Sequence, residues 1–365
     1  MKFKNKKTSL LVICRNSKFH PNLKNLLEKL KDYEIIKISL PIKNKRKFIW
    51  LIPWLILYPK YKFRLTEAYI YIKSKLNNSK FIIGYSVIPE TIQELNKKYK
   101  SIKTIQLQSG YLGKELSNLK KDKLVKLKNI DLFLGMSDYQ CKLAKRYFAR
   151  KVKTVGLLSS EDWINNNQIV CNVNGFKYDL CIVINTKVCL SIKHSLKLIL
   201  NYIKKHKETK LIIALKLNTD VPYLINYCKE YLNFDTNSKK NIHFTSLKDN
   251  RHSTLNAAKN SKIIIGVRST ALYQLGALGM LIYPINIENE YNGNLIDLNL
   301  EIDPNQNEFN HNIQKLLQEK YRIDYLSKNR ESLQRLDSTL NLENNTSLNI
   351  KKEIDKIVLD NKQIF

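Results

Sequence analysis

The feature that most constrains this chain is an alternation of strand and helix signals that runs, lapses and starts again. Ser9–Cys14 is a short apolar run rich in β-formers, and Leu23, Leu26, Leu27 and Leu30 follow at helical spacing. Further strands are predicted at 34–40, 81–84, 104–108 and 131–135, with helices carrying Ile92, Leu95 and Tyr99, then Leu143, Ala144, Tyr147 and Phe148. Residues 153–158 are predicted to close this half as a strand. Between 159 and 177 the alternation stops, and Asn165-Asn166-Asn167 and 172–175 are rich in turn formers. It restarts with predicted strands at 179–185, 211–215, 242–245, 262–267 and 281–285. Between these lie helices with Ile192, Leu196, Ile199 and Ile203 on one face, then at 221–232, 253–260 and 269–279. The tail beyond Asn307 reads as helical and polar, with 341–347 as a linker.

Strands that alternate with helices form parallel sheets with right-handed crossovers. The chain has 365 residues, and at roughly 100–200 residues per domain two domains are expected. The expected fold class is α/β, two Rossmann-like doubly wound parallel-sheet domains facing a cleft. The expected boundaries are a first domain at 1–160, a linker at 161–177, a second domain at 178–310 and a helical polar tail at 311–365. Ligands of such sheets bind at the carboxyl ends of strands, so the loops after strands are the places to look for chemistry.

A hydrophobic fraction of 43% excludes a disordered chain. The net charge of +31 has two readings. One is an anionic partner, and the other is a Lys-, Asn- and Ile-rich composition of the kind an AT-rich genome produces. The lysines are spread along the whole chain, with no focused patch and no nucleic-acid-binding motif, so no specific nucleic acid is expected. The six cysteines (Cys14, Cys141, Cys171, Cys181, Cys189 and Cys228) form no C-x-x-C pair. They fit small buried residues of a reducing compartment, with no metal site. The apolar run 10–14 is too short for a secretory leader, and the longer run 48–58 is too short to span a bilayer. That second run holds Trp50, Trp54 and Tyr58 between basic flanks within 43–64. It reads either as a peripheral contact with an anionic membrane or as a packed core segment.

The sharpest motif runs Ile263-Ile264-Ile265-Gly266-Val267-Arg268-Ser269-Thr270 and continues to Gly279. A buried strand ends at Gly266, and Ser269 is placed to cap the next helix. The free N–H groups and the dipole of that helix make an anion site, and the Arg268 guanidinium suits phosphate. A plain capped helix behind a core strand is the other reading. The run resembles the glycine/serine/threonine segment of GT-B-type glycosyltransferases. Among these it is most similar to surface-carbohydrate and capsule polysaccharide biosynthesis proteins, and to the CDP-glycerol glycerophosphotransferase-like and sialyltransferase-like families. Gly266, Ser269, Thr270 and Gly279 match. Gln274 stands where these families usually carry a Glu that binds the nucleotide ribose. Thr104 to Tyr111 resembles a strand that ends in Gln-His-Gly in related proteins, here Gln108-Ser109-Gly110. Lys216, after the strand 211–215, matches a basic residue of the relatives, while Asn218 replaces their His.

The resemblance implies an acceptor-side first domain and a nucleotide-donor second domain. It implies donor contacts from Lys216, Arg268, Ser269, Thr270 and Gln274, and backbone or loop roles for Gln108, Gly110 and Gly266. His20, in the loop after the first strand, and Ser109 are the candidate catalytic residues. Ser109 cannot replace a histidine as a base, and His20 before Pro21 also reads as a turn residue. The sequence has no Asp-x-Asp, P-loop or Ser-His-Asp order. Metal-free, cofactor-free catalysis is therefore expected, with basic groups and a helix dipole holding the leaving diphosphate. The expected function is cytoplasmic transfer of a sugar from a nucleotide-sugar donor to a surface-polysaccharide or lipid-linked glycan acceptor. The alternatives are a CDP-glycerol-type glycerophosphotransferase and a non-catalytic GT-B-like binder of a nucleotide or glycan.

Overall fold

The computed structural model describes residues 7–14, 21–39, 65–85, 96, 102–110, 129–167, 175–184, 190–215, 220–236, 240–246, 253–266, 269–285, 304–343 and 345–362. They divide into two units, Met1–Asp162 with Asn341–Phe365, and Trp163–Leu340. The segment 43–64 and the expected helix around Ile92, Leu95 and Tyr99 lie outside the described residues, apart from Asn96.

The first unit is built on β1 (Ser9–Cys14), β2 (Glu34–Ser39), β3 (Phe81–Tyr85), β4 (Lys103–Leu107), β5 (Ile130–Gly135) and β6 (Ala149–Thr154). Their order is β2-β1-β3-β4-β5-β6, with every neighbouring pair parallel. The side chains of β1 are buried throughout because it is an interior strand of a parallel sheet. Strand alternation sends Leu10, Val12 and Cys14 into one core cluster and Leu11 and Ile13 into another. Helices α1 (Lys24–Lys29), α2 (Leu65–Leu76) and α3 (Asp138–Tyr147) lie in this unit, and α4 (Leu158–Asn167) runs across the boundary between units. The strand predicted at 153–158 instead occupies Ala149–Thr154. It is an edge strand that exposes Arg150 and Lys151, so its polar face hid it, and the apolar Val155, Leu157 and Leu158 lie beyond its end.

The second unit has β7 (Tyr178–Ile184), β8 (Leu211–Leu215), β9 (Ile242–Ser246), β10 (Ser261–Gly266) and β11 (Ile282–Pro284), ordered β11-β10-β7-β8-β9 and all parallel. Its helices are α5 (Leu190–Lys205), α6 (Asp220–Leu232), α7 (Ser253–Lys259), α8 (Thr270–Ala277), α9 (Gln306–Leu317), α10 (Glu319–Lys328) and α11 (Arg330–Gln334). Ile192, Leu196, Ile199 and Ile203 of α5, Leu224 and Cys228 of α6, and Phe309 and Ile313 of α9 share one cluster with Leu180, Ile182 and Ile184 of β7. The α5 stripe falls where its spacing predicts. The architecture is the expected α/β one: two parallel sheets with flanking helices, each Rossmann-like. No helix among the described residues is long and apolar enough to cross a membrane.

The helical tail divides between the units. Helices α9 to α11 stay with the second, and α12 (Thr346–Lys362) belongs to the first. Ile350, Ile354 and Val358, four apart on one helical face, join Leu10, Val12 and Cys14 in a single cluster. Tyr33 donates to Asp355 Oδ1 at 2.5 Å. Lys351 Nζ lies 2.8 Å from Asp355 and 3.5 Å from Asp32.

The start of α12 is held by Glu161, which is 3% exposed. Its carboxylate accepts from the Ser347 N–H at 3.2 Å and from Ser347 Oγ at 2.8 Å. Burial pushes the Glu161 carboxyl above the usual carboxylate range, and the Ser347 hydrogen bonds and the charge of Lys29 oppose that. An acid with a raised folded pKa favours the fold most when protonated. Its contribution is full at acid pH and declines as pH rises from the ordinary carboxylate value through the folded one. The Glu161→Gln variant is therefore expected to gain stability relative to the parent as urea unfolding is repeated from about pH 4 to pH 8. A pH-independent difference would refute this.

Candidate functional site

From β7 the chain winds outward to β8 and β9, then returns to place β10 on the other side of β7. The helices that follow β7 and β10 therefore cover opposite faces, and the carboxyl ends of these two strands part there. This is the position at which open α/β sheets bind ligands. The sheet of the first unit has the same reversal between β1 and β3.

At the reversal in the second unit β10 ends at Gly266 and α8 begins. Ser269 is the N-cap in an extended conformation, φ −98° and ψ 130°, and its Oγ accepts from the Ala271 N–H at 3.3 Å. Ser269, Thr270 and Ala271 are half-buried, while 272–277 are buried. Only the opening turn of this helix thus meets solvent. It is the turn where the dipole is positive, and in it the Leu272 N–H donates to the Ser269 carbonyl at 3.0 Å. Gly266 makes the close approach possible: a Cβ there would lie 2.9 Å from Leu272 Cδ1 and 3.0 Å from its Cγ. The Gly266 carbonyl also accepts from the Ile285 N–H at 3.0 Å, which ties the loop after β11 to the same strand end. Thr270 and Gln274, four apart, share a helix face. Gln274 is 5% exposed and so lies within the packed part of the helix.

In the first unit Gln108, Ser109 and Gly110 follow β4. Gln108 is buried, and its amide is used inside the protein. Oε1 accepts from the Met136 N–H at 2.8 Å, and Nε2 donates to the Gly110 carbonyl and to Gln140 Oε1, each at 2.9 Å. Gln108 therefore clamps the loop after β4 to the turn after β5, leaving Ser109 and Gly110 half-buried. Sequence reasoning missed Gln140, the partner on α3. Its one signal is a polar residue beside Cys141 and Ala144 on the buried face of that helix. Burial pushes the thiol of Cys141, close to the same turn, above its ordinary value and favours its protonated form.

The structure thus groups Gly266, Ser269, Thr270 and Gln274 in the second unit and Gln108, Ser109 and Gly110 in the first. His20, Lys216, Asn218 and Arg268 lie outside the described residues.

The sequence matches no family model and no curated relative. Solved structures do match over nearly the whole chain. A UDP-GlcNAc 2-epimerase from Neisseria meningitidis bound to UDP-GlcNAc is 13% identical, covers 96% of this chain and 100% of its own, and has a TM-score of 0.60. The wall teichoic acid polymerase TagF is 12% identical, with 98% of this chain and 90% of that chain covered and a TM-score of 0.57. MurG from Acinetobacter baumannii is 10% identical, with 96% and 99% covered and a TM-score of 0.53. Identities this low establish the architecture alone, and that architecture is GT-B-like: two Rossmann-like units in one chain.

Proposed function

We propose that this chain is a glycosyltransferase that moves a sugar from a nucleotide-sugar donor to a surface-polysaccharide or lipid-linked acceptor, without a metal ion. The observation that carries the reading is the capped, half-exposed N-terminus of α8 at the sheet reversal beside β7. There the positive end of the α8 dipole and the hydroxyls of Ser269 and Thr270 receive the donor diphosphate. Arg268, next in the chain, adds a charged fork, and Lys216 follows β8, the other neighbour of β7. Gln274 takes the ribose in place of a carboxylate. On the acceptor side His20 removes the proton of the attacking hydroxyl. The new C–O bond forms at the anomeric carbon as the bond to the diphosphate breaks, and the nucleoside diphosphate leaves with its charge held by α8. Ser109 and Gly110 line the acceptor end, and Gln108 holds their loop. The segment 43–64 docks the protein on the cytoplasmic face of an anionic membrane, where lipid-linked acceptors reside.

Two of the matched folds support a nucleotide-sugar donor, since one was solved with UDP-GlcNAc and another with UDP. The likeness to a wall teichoic acid polymerase keeps a CDP-glycerol-type transfer as the second reading. The deciding experiment incubates the intact chain with UDP-GlcNAc or CDP-glycerol, with and without lipid-linked acceptor. Acceptor-dependent release of UDP supports the proposal. CMP release supports the second reading, and isomerised UDP-GlcNAc with no UDP released marks an epimerase. Binding without turnover leaves a nucleotide-binding protein, and no binding at all removes the donor site.

A further inference from the structure

Helix α6 presents Tyr223, Asn226, Tyr227, Glu230 and Tyr231 along one face, at positions that recur every three or four residues. Leu224, Tyr227 and Cys228 are buried in the core of this unit, along the flank of that face. Tyr223 and Tyr231 are 58% and 69% exposed, which is high for large aromatic side chains. Tyr227 is buried beneath them and stacks on Tyr231 with centroids 5.0 Å apart and planes 22° apart. Lys193, from the first turn of α5, sets its ammonium 5.4 Å from the Tyr227 ring and 6.0 Å from the Tyr231 ring. Tyr231 is thus held in place before any ligand arrives. Eight residues at a rise of ~1.5 Å place the two exposed rings about 12 Å apart along the helix.

We propose that this face is an oligosaccharide-binding strip, on which sugar rings of an uncharged glycan chain pack against Tyr223 and Tyr231. The C–H-lined face of a pyranose is apolar and slightly positive, so it complements the negative face of an aromatic ring. Its rim of hydroxyls needs both donors and acceptors, and Asn226, Glu230 and Lys193 supply both between the rings. Charge separates this occupant from the others. Lys193 and Glu230 balance, whereas single-stranded nucleic acid is tracked by a positive groove and an anionic bilayer by a basic face. Placement gives the strip a use. All five strands of this unit are parallel, so α6 and α8 both start at the carboxyl edge of the sheet, α6 on the face it shares with α5 and α8 on the other. Tyr223 stands in the first turn of α6, and the strip runs from the edge that carries Ser269 down to Tyr231. It is the track for a polymeric acceptor whose end lies at that edge, and in this it rests on the transferase reading above.

The test titrates the intact chain with cellohexaose, chitohexaose and maltohexaose, read by calorimetry and tyrosine fluorescence. At least one is expected to bind saturably. Tyr223→Ala and Tyr231→Ala should each weaken that binding about tenfold. Tyr231→Phe should retain it, and UDP affinity should be unchanged in all three variants. Both residues are exposed, so the variants should fold normally. Failure of all three glycans to bind, or equal binding by the alanine variants, overturns the proposal. So does a loss confined to a twelve-nucleotide oligouridine or to phosphatidylglycerol vesicles. Glycan binding lost in these variants with no UDP binding would sink the donor site and leave the strip, and the reverse result would do the opposite.

Discussion

Replacing Arg268 with alanine weakens UDP binding by at least about tenfold and leaves unfolding nearly unchanged. An exposed helix N-terminus favours an anion by ~0.3–1 kcal/mol, and a hydrogen bond to a charged group adds ~1.5–3 kcal/mol. The larger share therefore sits on the guanidinium. The paired substitution Ser269→Ala with Thr270→Ala also lowers affinity, with a different signature. Ser269 caps α8 through the Ala271 N–H, and losing an N-cap costs ~0.5–2 kcal/mol of stability. Affinity should thus fall alone in the arginine variant and together with stability in the double variant. Calorimetric titration with UDP, set beside thermal unfolding, separates the two. Unchanged affinity in both variants would remove the donor site from α8.

Deleting residues 346–365 unfolds the first unit and spares the second. Ile350, Ile354 and Val358 are 2%, 0% and 4% exposed, packed in one cluster with Leu10, Val12 and Cys14. Burying each such side chain is worth ~1.5–3 kcal/mol. Their joint loss is comparable to the ~5–15 kcal/mol that holds a typical domain together. The same deletion removes Ser347 and leaves the Glu161 carboxylate buried without its hydrogen bonds. The second unit keeps its core, because α9 supplies Phe309 and Ile313 to it and α12 does not. Hydrogen exchange should then show lost protection in β1 and β3, with β7 and β10 still protected. The single change Ile354→Ala should cost ~2–5 kcal/mol in the same direction. A truncated chain whose first unit stays protected would contradict the assignment of this helix to that core.

The amino-acid sequence by itself carried the strand–helix alternation and the step from an apolar strand through Gly266 to a capped helix. Each is a local signal. A strand buried on both faces must be an apolar run, as Ile263-Ile264-Ile265 is, and a helix start needs a side chain such as Ser269 to accept a backbone N–H. Local signals also misled. Tyr69-Ile70-Tyr71-Ile72 is a run of β-formers, so α2 went unread, and tertiary packing of Ile70 with Leu11, Ile13 and Ile82 overrides that propensity. Only the tertiary structure decided which strands are neighbours, and hence that β10 returns to the side of β7 and puts Ser269 at the sheet reversal. Pairing joins residues far apart in the chain and leaves no trace in a short window. For the same reason the structure alone joined Gln108 to Gln140. It also sent α12 back to the first unit: the spacing of Ile350, Ile354 and Val358 announces one apolar face and is silent about which core it fills.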